Sequence, residues 1–377
     1  MKRSAWVIFA SAVIVFALSI SVSASKKNDI PELEELIESL PEEFKEEIES
    51  SDGEDDVQRL GNAVMRMSSA DRMLLEVLEA VGLQAESVLK LFLAICALLI
   101  LSSVFRTASS SIDNDALSSA IRFCSAGALF ATIVYTQYSH FARIEDFFES
   151  LGNIMNAMIP ISATVWALGG NVGCASAGSA SLYLILNVSE GLFGLSVIPV
   201  CSAMSVLGLC DAMSDEMRTG KILGAIKKIY GFFLGIVMTV LVSALAAQTS
   251  ISAAADSTAA RSARMMSGSF IPILGGSIGE TLRTVSGGVA YLKNVFGFGG
   301  VFMILGTLMP VAVSLLLTRI VFLITAGLAD ILGCPSESRL LENLGETFGT
   351  MLAVCVSVSV MFVLSFCIFM QSVIAVA

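Results

Sequence analysis

The sequence predicts an all-α polytopic membrane protein: a signal peptide, an acidic helical outer segment, then about six to eight transmembrane helices with an internal parallel duplication. Three observations predict it. Of 377 residues, 55% are apolar and 15% charged, against about 45–50% and about 25% in ordinary soluble domains. The mean hydropathy is +0.82. Apolar windows near the roughly 20 residues that a bilayer crossing needs occur at Val88–Phe105, Leu117–Tyr138, Leu192–Leu209, Tyr230–Ala247, Phe298–Ile324 and Met351–Val373.

The chain opens on a short address. Lys2 and Arg3 form a positive start, Ala5 to Ile20 an apolar core, and Val22-Ser23-Ala24 a small-residue cleavage site. Residues 1–24 therefore read as a secretory signal peptide. An uncleaved first transmembrane helix is the competing reading. Both put the adjoining segment on the extracytoplasmic side, because the positive end stays inside.

Residues 25–87 form the acidic segment. The whole chain carries 33 acids, 22 bases and a net charge of −11. Residues 25–88 alone account for −12, which leaves the remainder at +1. A nucleic-acid binder working through a basic surface is excluded. Leu33, Leu36, Ile37, Leu40, Phe44 and Ile48 recur at helical spacing, and Val57, Leu60, Val64, Met67, Leu74 and Leu78 continue it. Two or three amphipathic helices are predicted. Their glutamates fit either a solvated face or a partner-docking surface.

Residues 88–139 hold the first two transmembrane helices, 150–250 a first membrane repeat and 262–377 a second. Met158-Ile159-Pro160-Ile161 recurs as Phe270-Ile271-Pro272-Ile273, and Pro199-Val200 as Pro310-Val311. The pair Glu216, Arg218 ahead of Leu223-Gly224 recurs as Glu337, Arg339 ahead of Leu344-Gly345. Each copy has an even number of crossings, so the copies run parallel, one of the two repeat types of transporters. Glycine-interrupted stretches at Ile154–Gly170, with Gly178–Val188, and at Phe270–Val295 are expected to be re-entrant or short hairpins. Non-helical backbone at that depth survives only against protein or water. Starting outside, the Lys221, Lys227, Lys228 loop falls inside, as basic loops tend to.

No enzyme constellation is present and no cofactor is called for. His140 is the single histidine and is expected at a span end, as a satisfied surface residue. Gly220-Lys221 lacks the rest of a phosphate loop. The eight cysteines lie outside the acidic segment and none is at Cys-x2-Cys spacing, so they read as small apolar residues rather than disulfide or metal ligands. Between Ser150 and Cys210 the one charged residue is Glu190, and its repeat counterpart is close to Lys293. Charges at membrane depth are costly and mark polar paths. Glu190 and Lys293 either line a passage from facing hairpins or mark hairpin tips in the headgroup layer.

One family shares this layout. Ala259-Ala260-Arg261-Ser262-Ala263-Arg264, then Gly268 to Gly275, then Leu292-Lys293-Asn294-Val295-Phe296-Gly297 resemble the run before the last two spans of the stage III sporulation protein AE family. The resemblance covers the body from about Val88 onward, and brings no active site. It implies an integral subunit of the sporulation stage III A channel, or feeding tube, that links mother cell and forespore and keeps late forespore gene expression active. It implies as partners the other stage III A operon proteins and a forespore membrane protein across the intermembrane space. The location implied is the mother-cell membrane around the forespore, with the acidic segment and the C-terminus extracytoplasmic. A homo-oligomer is compatible with that role. The competing reading is a stand-alone secondary transporter built on the duplicated core.

Overall fold

A computed structural model describes residues 70–110, 115–213, 219–270 and 275–371. The signal-peptide reading, most of the acidic segment, Glu216, Arg218 and Pro272 lie outside the described residues. Among the described residues every element is a helix: α1 Ala70–Ser110, α2 Asp115–Leu168, α3 Val172–Val188, a π-helical turn Ser189–Gly194, α4 Leu195–Met213, α5 Gly220–Phe270, α6 Gly275–Ile331 and α7 Pro335–Gln371. Among the described residues six segments are long and apolar enough to cross a membrane: Gln84–Thr107, Phe123–Leu168, Val172–Met213, Gly220–Asp256, Leu292–Ile331 and Pro335–Ile368.

Those six segments match the six windows read from the sequence. The first weaker stretch is not a separate loop, while Phe270–Val295 includes residues 271–274, which lie outside the described residues. Ile154–Gly170 continues α2, and Gly178–Val188 runs through the π-turn into α4. The α2 helix has 54 residues, about 81 Å at 1.5 Å per residue, far more than the ~30 Å hydrocarbon core. The α1 helix crosses the expected boundary at residue 87 without a break.

The segments run antiparallel in sequence. Three pairs give the register of α2 against α3–α4. Gln137 bonds Ser205, Phe148 packs on Gly194 and Trp166 packs on Gly178. All three are nearly symmetric about the turn at Gly170, so α2 and α3–α4 form one long hairpin. Gly170 has φ 77°, the left-handed value that a side chain disfavours. It lets the Gly170 and Asn171 N–H groups donate to Ala167 and Trp166, closing the helix end. The α6–α7 turn repeats the device, with Gly333 at φ 72° and the Cys334 N–H donating to Ala329.

Helices α6 and α7 form the most extensive pair, and α7 also packs on α2, α4 and α5. Phe322 and Phe348 meet edge to face at 5.2 Å, while Phe362 and Phe366 are fully buried. Apolar side chains also cover the outside of the bundle, among them Leu93, Phe105, Phe232 and Ile320. A bundle apolar inside and out is expected where lipid is the solvent. Hydroxyls in the spans bond back to the carbonyl four residues earlier, as Ser162 does to Met158, Thr325 to Val321 and Ser365 to Met361. That satisfies them without water.

Candidate functional site

The polar side chains of the body gather into clusters between helices, and the tightest centres on Glu337. Cys334 caps α7, since its carbonyl accepts the first helical bond from Ser338. Pro335 then occupies the first helical position, which suits its missing N–H, and Glu337 the third. A carboxylate in a first turn is favoured by the helix dipole. Glu337 is 1% exposed. Its Oε1 accepts from Ser102 Oγ of α1 and Ser125 Oγ of α2, both at 2.5 Å. Its Oε2 faces Arg106 Nη1 at 3.6 Å. Ser103 Oγ donates to the Leu332 carbonyl in the same turn. One carboxylate thus joins α1, α2 and α7. Burying it without those partners would cost several kcal/mol.

Two further links lie at the same end. Asp211 of α4 accepts from the Gly220 N–H at 2.8 Å, which caps α5, and from Asn343 of α7 at 3.4 Å. A Cβ at Gly208 would meet Asn343 Cβ at 2.9 Å, so that approach needs glycine. On the surface, Lys227 pairs with Glu346 at 3.5 Å.

Further along the bundle, His140 is buried between α2 and α6 rather than exposed at a span end. The expectation of a surface histidine is therefore corrected: it is 5% exposed and stacks edge-on against Phe348 at 5.1 Å. The bonds form a chain. Arg143 Nη1 donates to Ser314 Oγ and to Gln84 Oε1. Ser314 Oγ meets His140 Nδ1 at 3.3 Å, and Thr318 Oγ1 meets Nε2 at 3.1 Å. Thr318 donates its proton to the Ser314 carbonyl, so it accepts from Nε2. Periodicity could not reveal this, because the Ser, Thr and His positions are single polar letters in apolar runs.

The last cluster lies beside the Gly170 turn. Asp256 of α5 accepts from the Gly173 and Cys174 N–H groups, both at 3.0 Å, at the start of α3. A Cβ at Gly173 would meet Asp256 Oδ1 at 2.7 Å. Ser181 bonds Gln248, and the Cys174 thiol faces the Thr249 carbonyl. Lys293 is 7% exposed and within electrostatic reach of Cys174. Asp256 had a signal in the sequence: it is the one charged residue between Lys228 and Arg261.

The residues singled out by the sequence are spread over several places. Lys293 lies inside α6, next to the start of α3, whereas Glu190 lies in the π-turn at the other end of α3. The two are about 24 Å apart along that helix and are not brought together. Glu337 and Arg339 share the first turn of α7, but only Glu337 is buried there. Arg339 bonds back to the Pro335 carbonyl. Pro160 is inside α2. The eight cysteines are all free.

This body of helices has known relatives. The family described as stage III sporulation protein AE matches residues 57–373. The stage III sporulation protein AE of Bacillus subtilis (strain 168) is 22% identical over 217 residues, which cover 58% of this chain and 54% of that protein. The chain thus spans about half the length of the curated relative it matches. No solved structure matches. With some five-sixths of its length matched, the chain belongs to the stage III sporulation protein AE family.

Proposed function

We propose that this protein is an integral, non-catalytic subunit of the sporulation stage III A channel complex linking mother cell and forespore, needed for late forespore gene expression. Family membership over residues 57–373 is the observation that carries this reading. The buried polar groups agree with it. Glu337, Asp211 and His140 each tie helices together, as a scaffold or conduit wall requires. A carrier would instead converge its polar groups on a cargo.

On this reading the other stage III A operon proteins are partners, with a forespore membrane protein across the intermembrane space. The bilayer is the mother-cell membrane around the forespore. Six crossings leave both ends of the body on one side, and a signal peptide at the front makes that side extracytoplasmic. The two copies of the duplication would be residues 150–250, which end in α4 and α5, and residues 262–377, which hold α6 and α7. Pro199 and Pro310 lie inside α4 and α6.

Deletion of the gene tests the proposal. Loss of a late forespore reporter is expected, with restoration by the wild-type copy. Normal late forespore expression in the deletion strain overturns it. A solute-uptake defect with normal forespore expression would favour the stand-alone secondary transporter.

A further inference from the structure

We propose that the outward face of α2 from Glu145 to Asn156 is one wall of a water-filled passage at bilayer depth, with a preference for cationic solutes. The proposal refines the conduit reading above and rests on it; other subunits of the complex close the passage.

Four helices fix the depth. Charge is absent from 191–210 through α4, 229–255 of α5, 294–318 of α6 and 347–371 of α7. The ends of these stretches are level. At one end Lys227 pairs with Glu346 and Arg319 lies against Gly349. At the other, Asp256 accepts from the Cys174 N–H, and Lys293 is within electrostatic reach of Cys174. From Lys228 to Asp256 is about 42 Å and from Lys293 to Arg319 about 39 Å, the thickness of a bilayer with its headgroups.

Helix α2 crosses this depth with a polar face. Arg143 bonds Ser314 and His140 meets Thr318, so α2 runs antiparallel to α6. Glu149 then stands about 16 Å from the Arg319 end and about 23 Å from the Lys293 end. Every exposed residue from 145 to 156 is polar or charged, with the exception of Pro-free, apolar positions that are all buried: Glu145, Asp146, Glu149, Ser150, Asn153 and Asn156 face outward. At the same depth α5 exposes Phe232, Ile236 and Val240, a face that lipid covers. Lipid does not cover three carboxylates at mid-depth; such groups face protein or water. A second copy pressed on this face would set carboxylate against carboxylate, which leaves water, and an acidic wall favours cations. Setting the bilayer instead at the apolar window Leu117–Tyr138 of α2 would place exposed Asp330, Glu342 and Glu346 in lipid, because Ser125 bonds Glu337 and His140 stacks on Phe348.

Cysteine accessibility in the full-length protein, in membranes from sporulating cells, tests this. Glu149→Cys and Asn156→Cys should react with an impermeant methanethiosulfonate many-fold faster than Val240→Cys, read site by site by mass spectrometry. Equal rates at the three sites overturn the passage, since lipid or a partner protein then covers the α2 face. A cationic reagent should outpace an anionic one several-fold at Asn156→Cys, and Glu145→Gln, Asp146→Asn and Glu149→Gln together should abolish that difference. Equal rates for the two reagents without those changes overturn the cation preference. Unlabelled Cys201 and Cys355, both fully buried, report that the body is still folded. The late forespore reporter is scored in the same strains: slow labelling with an intact reporter overturns the passage and leaves the subunit role standing.

Discussion

Gly178 packs against the indole of Trp166, so close that a Cβ on Gly178 would overlap the ring. This contact locks α3 onto α2 close to the Gly170 bend. Gly178→Val should therefore destabilise the hairpin by about 1–3 kcal/mol, the usual cost of overpacking. Thermal unfolding in detergent, followed by the far-ultraviolet circular dichroism of the helices, reads the loss. Trp166→Leu in the same chain should recover part of it; a double variant no better than the sum of the singles would exclude the contact as the cause.

Removal of the Glu337 carboxylate should be among the most damaging single changes in the body. Glu337→Ala takes away the acceptor for Ser102 and Ser125 and the carboxylate facing Arg106. Losing one side of a buried ion pair costs about 3–5 kcal/mol. Glu337→Gln keeps an acceptor oxygen for the serines and should cost less, about 1–3 kcal/mol. Limited proteolysis of the turn at Leu332–Cys334 should rise in the same order.

The pair Lys227–Glu346 is the opposite case. Its side chains are 38% and 49% exposed, and exposed pairs contribute about 0–1 kcal/mol. Glu346→Ala should shift the melting temperature little. A loss comparable to that of Glu337→Ala would show that the two pairs are equally shielded, against their difference in burial.

Asp256→Ala should loosen the far end. Two N–H groups of α3 lose their acceptor, a capping loss of about 0.5–2 kcal/mol. Cys174, now buried, should react faster with maleimide, read site by site by mass spectrometry. Asp256→Asn retains one acceptor oxygen and should react at an intermediate rate.

Parts of this architecture are legible in the residues. The six span-length segments arise from hydropathy, and each expected window coincides with one of them. The turn at Gly169-Gly170-Asn171 is visible as a glycine interruption, although its consequence is not. Glycine can end a helix either in a short re-entrant hairpin or at the apex of a long one. Only the packing of Trp166 on Gly178 and of Phe148 on Gly194 chooses the second. His140 departs from its expected surface position because the end of an apolar window resembles a span end. In the structure α2 simply continues past it.

Taken alone, the sequence determined the solvent class of each stretch: an acidic front, a nearly neutral apolar body, and the family to which it is similar. These are properties summed over a window, and hydration energy depends on composition within that window. Tertiary structure decided which polar groups meet. Ser102 and Glu337 are 235 residues apart in the chain, and nothing in either neighbourhood names the other. Helix packing brings them into contact, and the cost of an unsatisfied charge in a buried site keeps them there.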